Sequence, residues 1–213
     1  LKPDRASVWN GNQFPTFDQK LVAAVFGFKQ EQVTMHTVFA GGSFGRRPNP
    51  HSDYVVEAAT IAKAISGQAP VKLVWTREDD IAAGYFRPAM LHRIRGGIDA
   101  TGNPVAWWQR VVGQNMGLGT IFDSKDGKDA SAYEGAADHK YEIPNVYLDA
   151  AHPVIGVPVQ WWRSVGHTHT AFAVEMFIDE MARAAGKDPV AFRRALLTKD
   201  ARRLGVLNLA AEK

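Results

Sequence analysis

A chain of 213 residues, 46% hydrophobic and 22% charged with a net charge of +3, has the composition of a globular protein long enough for a sizeable core, in one domain or two small ones. Its basic residues are scattered among nearly as many acids, with Arg46-Arg47 the densest pair, so nucleic acid is not implied as a partner. There is no cysteine, which excludes disulfides and thiolate ligands to zinc or an iron–sulfur cluster. No apolar run approaches the ~18 residues of a membrane span, and "LKPDRASVWNG" lacks the basic, apolar and small-residue order of a signal peptide.

In chain order, "VWNGNQF" ends a strand with an amide, Gln13, before "FDQKLVAAVFGF", where Leu21, Val22, Val25 and Phe26 share one helical stripe. "QVTMHTVFA" then alternates Val33, Met35, Thr37 and Phe39 against Thr34, His36 and Val38, a strand that runs into the glycine cluster "GGSFGRRPNP". Ser52 is placed to cap a helix, "DYVVEAATIAKAISG", ending on Gly67 and feeding a short strand, "VKLVW". Thr76 before Arg77-Glu78-Asp79-Asp80 reads as a capped, solvated helix start. "MLHRIRGGID" and "VAWWQRVVGQ" flank "ATGNP" as a long hairpin, and residues 116–139 read as a long loop. "NVYLDA" and "VPVQWW" give two more strands, the second edge-like because of Pro158. The chain closes with helices: Thr168 or Thr170 caps "AFAVEMFIDEMARAAGK", and Asp188-Pro189 opens "VAFRRALL". Hairpins mixed with crossovers predict an α+β fold.

Gly41, Gly42 and Gly45 are spaced G-G-x-x-G, which is neither a dinucleotide fingerprint nor a P-loop. Two readings are left: a plain glycine-rich turn around a buried Phe44, or a run of main-chain N–H groups converging on an anionic oxygen or phosphate. Three predicted strand ends, each followed by a helix, deliver Gln13, the glycine loop with Phe44, and Arg163, and ligands gather at such ends. The histidines offer a rival: His167 and His169, perhaps with His152, as ligands of a metal-dependent hydrolase, weighed against capping or packing roles. A non-catalytic binding or assembly module is the third reading. Trp107-Trp108 and Trp161-Trp162 read as core and interface.

The order Gln13 before a helix, then "GGSFGRR", "WTREDD", "YEIPN" and "RSVGHTHTAFAVEMFIDEMA", resembles the molybdenum-cofactor-binding subunits of the xanthine dehydrogenase and aldehyde oxidase family. Within it, "GGSFGRR" and "RSVGHTHTAFAVE" are most similar to bacterial isoquinoline 1-oxidoreductase and aldehyde dehydrogenase large subunits. The resemblance implies an oxidoreductase that hydroxylates an aldehyde or an electron-poor N-heterocyclic aromatic, with water as oxygen source and electrons leaving through an iron–sulfur subunit. It implies molybdopterin with molybdenum, in the cytosine dinucleotide form, and a periplasmic location. Carried over by position, Gln13 would donate its amide to an oxo group of the metal. Gly42, Ser43, Phe44 and Gly45 would offer main-chain contacts to metal and pterin, and Arg163 would lie at the metal's other side. Pro48 and Val165 would line an apolar substrate pocket. The purine enzymes of the family carry a lysine and an acid after the loop, where this chain has Arg47 and Pro48. Residues 1–213 are expected to be the first cofactor-binding half of a longer subunit. The general base is expected in the second half, so no catalytic residue and no direct metal ligand is assigned here, and the chain alone is expected to be folded, cofactor-free and inactive.

Overall fold

The computed structural model describes residues 1–213 and divides them into two compact units. The first comprises residues 1–87, 117–123 and 156–163, and the second residues 88–116, 124–155 and 164–213.

In the first unit β1 (Ala6–Asn10) and β2 (Val33–Thr37) pair in parallel, Ala6 opposite Val33 and Asn10 opposite Thr37. Parallel pairing demands a crossover, and α1 (Pro15–Phe26) supplies it. Pro15 sits at the first helical position, and Gly27 at φ 73° closes the helix by donating to Ala23 and Ala24 carbonyls. The stripe foreseen for this helix packs on α2 (Asp53–Ala64), giving a core of Ala6, Val22, Ala23, Val33, Val55 and Ala59. Thr76 and Asp79 form a reciprocal capping box on α3 (Arg77–Ala83), as the sequence predicts.

Several expectations in this unit are corrected. α2 ends at Ala64 with Ile65 as its cap, short of Gly67. Ser52 stands at the N-cap position but in a left-handed conformation, φ 46°, and its hydroxyl bonds Asp18 instead of the helix. Phe39, expected to share the inward face of its strand, lies beyond the end of β2 and is fully exposed. Residues 71–75 alternate half-buried with exposed, but they take no regular secondary structure and pair with no strand. "VPVQWW" is not a strand: only an isolated bridge joins Val159 to Phe86, because Pro158 has no N–H to give a ladder.

The second unit is built on the expected hairpin. β3 (Met90–Ile98) and β4 (Pro104–Gly113) run antiparallel, and Gly102 at φ 76° makes the turn. β5 (Asn145–Ala151) adds to β4 in parallel. α4 (His167–Ala184) covers the sheet, burying Val174, Ile178, Met181 and Ala182 with Trp107, Ile143, Phe192 and Leu196. A Cβ at Gly96 would lie 2.8 Å from the Met181 sulfur, so the helix rests directly on strand backbone there. α4 begins at Gly166 without a side-chain cap. Thr168 and Thr170 are not caps, and the buried Thr170 hydroxyl bonds the Glu134 carbonyl at 2.6 Å. Asp188 caps α5 (Pro189–Ala195) as expected. A further helix, α6 (Ala201–Ala211), is capped by Asp200 and was not foreseen. In the segment 116–139, Met116, Asp129, Ala132 and Ala136 are buried, and the Asp129 carboxylate accepts from the Met116 N–H. Helices packed on a parallel pair of strands and on a three-stranded mixed sheet make this an α+β fold.

Candidate functional site

The glycine loop leaves β2 and closes at Ser52. Phe44 takes φ 53°, a left-handed conformation costly for a large side chain, and its ring is half exposed. Its carbonyl accepts the Arg163 N–H at 2.5 Å, and the Arg163 guanidinium lies 5.2 Å from the centre of its ring. Gly45, at φ 88°, has backbone against backbone: a Cβ there would lie 2.7 Å from the Trp162 Cα. Gly42, at φ 130°, lies under the Phe44 ring, which a Cβ would meet at 2.5 Å. None of the N–H groups from Gly41 to Gly45 has an acceptor within the chain, whereas the Ser43 carbonyl is taken by the Arg46 N–H. The Ser43 hydroxyl is buried without a partner.

The two arginines that follow belong to the support of the loop. Arg46 makes a bidentate pair with Asp53, at 2.6 and 3.2 Å, with its side chain only 12% exposed. Its guanidinium also faces the rings of Trp75 and Tyr85, and its carbonyl accepts from the Gln160 amide at 3.0 Å. Arg47 lies over Tyr54. Both charges are thus engaged, which pins the loop to α2.

Gln13 is exposed at the bend between β1 and α1. A Cβ at Gly11 would lie 2.8 Å from that of Ala40, and Asn12 accepts from the Thr37 hydroxyl at 2.9 Å. Direct contacts therefore join Phe44, Gly45 and Arg163, with Gly42 and Ser43 in the same turn, while Gln13 comes to the loop through its neighbours Gly11 and Asn12. Pro48 is half-buried in the loop. Val165 belongs to the second unit, where it and Ser164 take φ 45° and 72°, unusual above all for a β-branched residue.

The histidines of the second unit go to separate partners. Trp107 N–H can only donate, so it fixes the Gln109 carbonyl oxygen toward itself, at 3.1 Å, and the Gln109 amide nitrogen toward His92 Nδ1, at 2.9 Å. His92 Nε2 then carries the proton and donates to His169 Nδ1 at 2.8 Å, and burial holds the His92 pKa below its ordinary value. His167 Nδ1 lies 3.1 Å from Glu134, and His152 bonds the Gly113 carbonyl. No group of three or more His, Cys, Asp or Glu side chains is gathered to hold a metal, so the hydrolase reading lacks a ligand set. Sequence reasoning missed Asp18, which reads as an ordinary acid in a first helical turn and is in fact 1% exposed.

A family model described as "Molybdopterin cofactor-binding domain" matches residues 2–197. The chain is 32% identical over 211 residues to isoquinoline 1-oxidoreductase subunit beta of Brevundimonas diminuta, covering 97% of this chain and 26% of that protein. It is 33% identical over 203 residues to the membrane-bound aldehyde dehydrogenase [pyrroloquinoline-quinone] of Gluconacetobacter polyoxogenes, covering 92% and 26%. The crystal structure of quinoline 2-oxidoreductase from Pseudomonas putida 86 shares the fold, with a TM-score of 0.74 and 20% identity over 88% of this chain and 24% of that one. The chain spans about a quarter of the length of these curated relatives.

Proposed function

The chain belongs to the molybdopterin cofactor-binding domain family, and from that premise we propose that it forms one wall of the cofactor site in a molybdenum hydroxylase oxidising an aldehyde or an N-heterocyclic aromatic. Water is the oxygen source, and the electrons pass to an iron–sulfur partner. The two substrate classes follow the relatives, whose names give isoquinoline, quinoline and aldehydes. The remaining domains of the same subunit, the general base among them, lie outside residues 1–213. The cofactor is the cytosine dinucleotide form, and the complex works in the periplasm.

The observation that carries this reading is the open run of N–H groups from Gly41 to Gly45, held by the Phe44–Arg163 contact. An anionic pterin fits such a run. Fixed N–H dipoles stabilise negative charge with little reorganisation, and glycine leaves the backbone bare for close approach. The unpartnered Ser43 hydroxyl adds a donor in the same turn. When bound, the molybdenum group supplies the two-electron oxidation and activates water. Gln13 is a neutral amide, so it donates to an acceptor oxygen without giving up its proton. Arg163 is a permanent cation that favours anionic groups beside Phe44. Pro48 presents no side-chain hydrogen-bonding group, which suits an apolar substrate.

The test is to purify the intact subunit with its partner, measure molybdenum, iron and pterin, and run turnover in ¹⁸O-labelled water. Stoichiometric molybdenum with label in the product is expected. Full turnover without molybdenum, or product oxygen drawn from dioxygen, overturns the reading.

A further inference from the structure

One buried carboxyl gathers the chain on both sides of the proposed cofactor face. Asp18, in the first turn of α1, accepts the Ser52 hydroxyl at 2.5 Å. Ser52 is itself fully buried, in a left-handed conformation, where the glycine loop passes into α2. From the other side the amides of Asn10 and Asn12 approach the same carboxyl without completing a hydrogen bond. Asn10 ends β1, and Asn12 precedes Gln13 and is tied to Thr37 at the end of β2. The last residue of β1, the last residue of the loop and the residue next to Gln13 therefore meet around Asp18.

This cluster is expensive for the fold alone. Asp18 Oδ2, both polar atoms of the Asn10 side chain, Asn12 Nδ2 and the Tyr54 hydroxyl are buried without partners. Apolar side chains in their place would pack at lower cost. What the cluster does secure is the register of two segments that no ladder joins, the turn bearing Gln13 and the loop bearing Phe44. We infer that Asp18 is a positioning residue of the proposed cofactor face, holding Gln13 at a fixed place relative to the glycine loop. The inference rests on the function proposed above. Burial, reinforced by the nearby Asp53 charge and opposed by the Ser52 hydrogen bond and the neighbouring amides of Asn10 and Asn12, pushes the Asp18 carboxyl above its ordinary pKa. Neutral or charged, its Oδ1 still accepts from Ser52, and an asparagine offers the same oxygen.

The experiment is a double-mutant cycle in the intact subunit with its partner, read by turnover, pterin content and amide hydrogen exchange over residues 11–17 and 40–52. Asp18→Ala should lower kcat by on the order of tenfold to a hundredfold and speed exchange in both segments together. Asp18→Asn should restore both readouts. In a Gln13→Ala background, Asp18→Ala should cost less than about twofold more, because the two act through one contact. Ser52→Ala removes the same hydrogen bond and should reproduce the exchange pattern if Asp18→Ala does not fold. Losses that multiply in the cycle, exchange that rises in one segment only, or an Asp18→Asn variant as impaired as Asp18→Ala each overturn the inference. Unchanged turnover in Gln13→Ala with full molybdenum would instead overturn the role of Gln13, and the exchange data would still decide whether Asp18 couples the two segments.

Discussion

Arg163 donates its main-chain N–H to the carbonyl of Phe44 at 2.5 Å and lays its guanidinium over the ring of the same residue. One residue thus holds both backbone and side chain of the other, and the left-handed conformation of Phe44 depends on it.

The adjoining glycine should be intolerant of any side chain. Gly45→Ala brings a methyl group to 2.7 Å from the Trp162 backbone and forces an L-residue to φ 88°. A loss of about 1–3 kcal/mol is expected, seen as a lower thermal midpoint of the intact subunit and reduced molybdenum content. Gly41, with nothing within 4 Å of its Cβ position, is the control. Gly41→Ala should stay within about 0.5 kcal/mol of the parent. Equal behaviour of the two variants would show that the loop is not braced as described.

Gln13→Ala should leave the fold intact, since the side chain is exposed. Removing one donor to a developing charge typically costs about 10²–10³ in kcat. Turnover per bound molybdenum is the measurement, and an unchanged value would remove Gln13 from the site.

Stability should fall on mild acidification. Burial is the main cause holding His92 and His139 below the ordinary imidazole value of 6.5, and for His139 the charges of Asp138 and Glu175 oppose it in part. The unfolded chain binds these protons more readily, so the stabilisation is present in full above about pH 6.5 and is lost as pH falls through the lower folded values. The thermal midpoint should therefore drop below neutrality. His92→Leu should lower it at pH 7.5, through the broken Gln109 and His169 bonds, while flattening its acid slope. A slope as steep as the parent's would exclude His92 as a source.

Xanthine should be a poor substrate of the intact complex. At the proposed site Pro48 offers no donor or acceptor to a polar heterocycle, and an apolar pocket of that kind discriminates by roughly 100-fold. Values of kcat/KM for xanthine, benzaldehyde and isoquinoline decide the matter, with xanthine expected at least about 100-fold below the better of the others.

What could be read from the chain alone divides along physical lines. The glycine loop, the hairpin and the Thr76 and Asp188 caps were legible because local chemistry dictates them: tight turns need glycine, and helix starts need an acceptor. Strands depend on partners elsewhere, so residues 71–75 and 157–162 have strand composition and yet form no strand. The support that Arg46 gives the loop was not legible, because Asp53, Trp75 and Tyr85 come to it only in the fold. Asp18 was invisible for the same reason, since its position in a helix says nothing of what lies above it. Phe39 followed the alternation of its strand on paper, but the strand stops before it.

The unladdered segment 71–75 has a practical consequence. Its Trp75 end is tethered by the indole N–H to Glu57 at 2.8 Å, but Val74 is exposed and no neighbouring strand takes up the backbone amides. Such a stretch is a template for pairing between molecules, and Lys72 is the only charge within it to discourage stacking. When residues 1–213 are produced by themselves, this short run is where inclusion bodies would nucleate, and a second lysine at Val74 is the substitution most suited to keeping the material in solution.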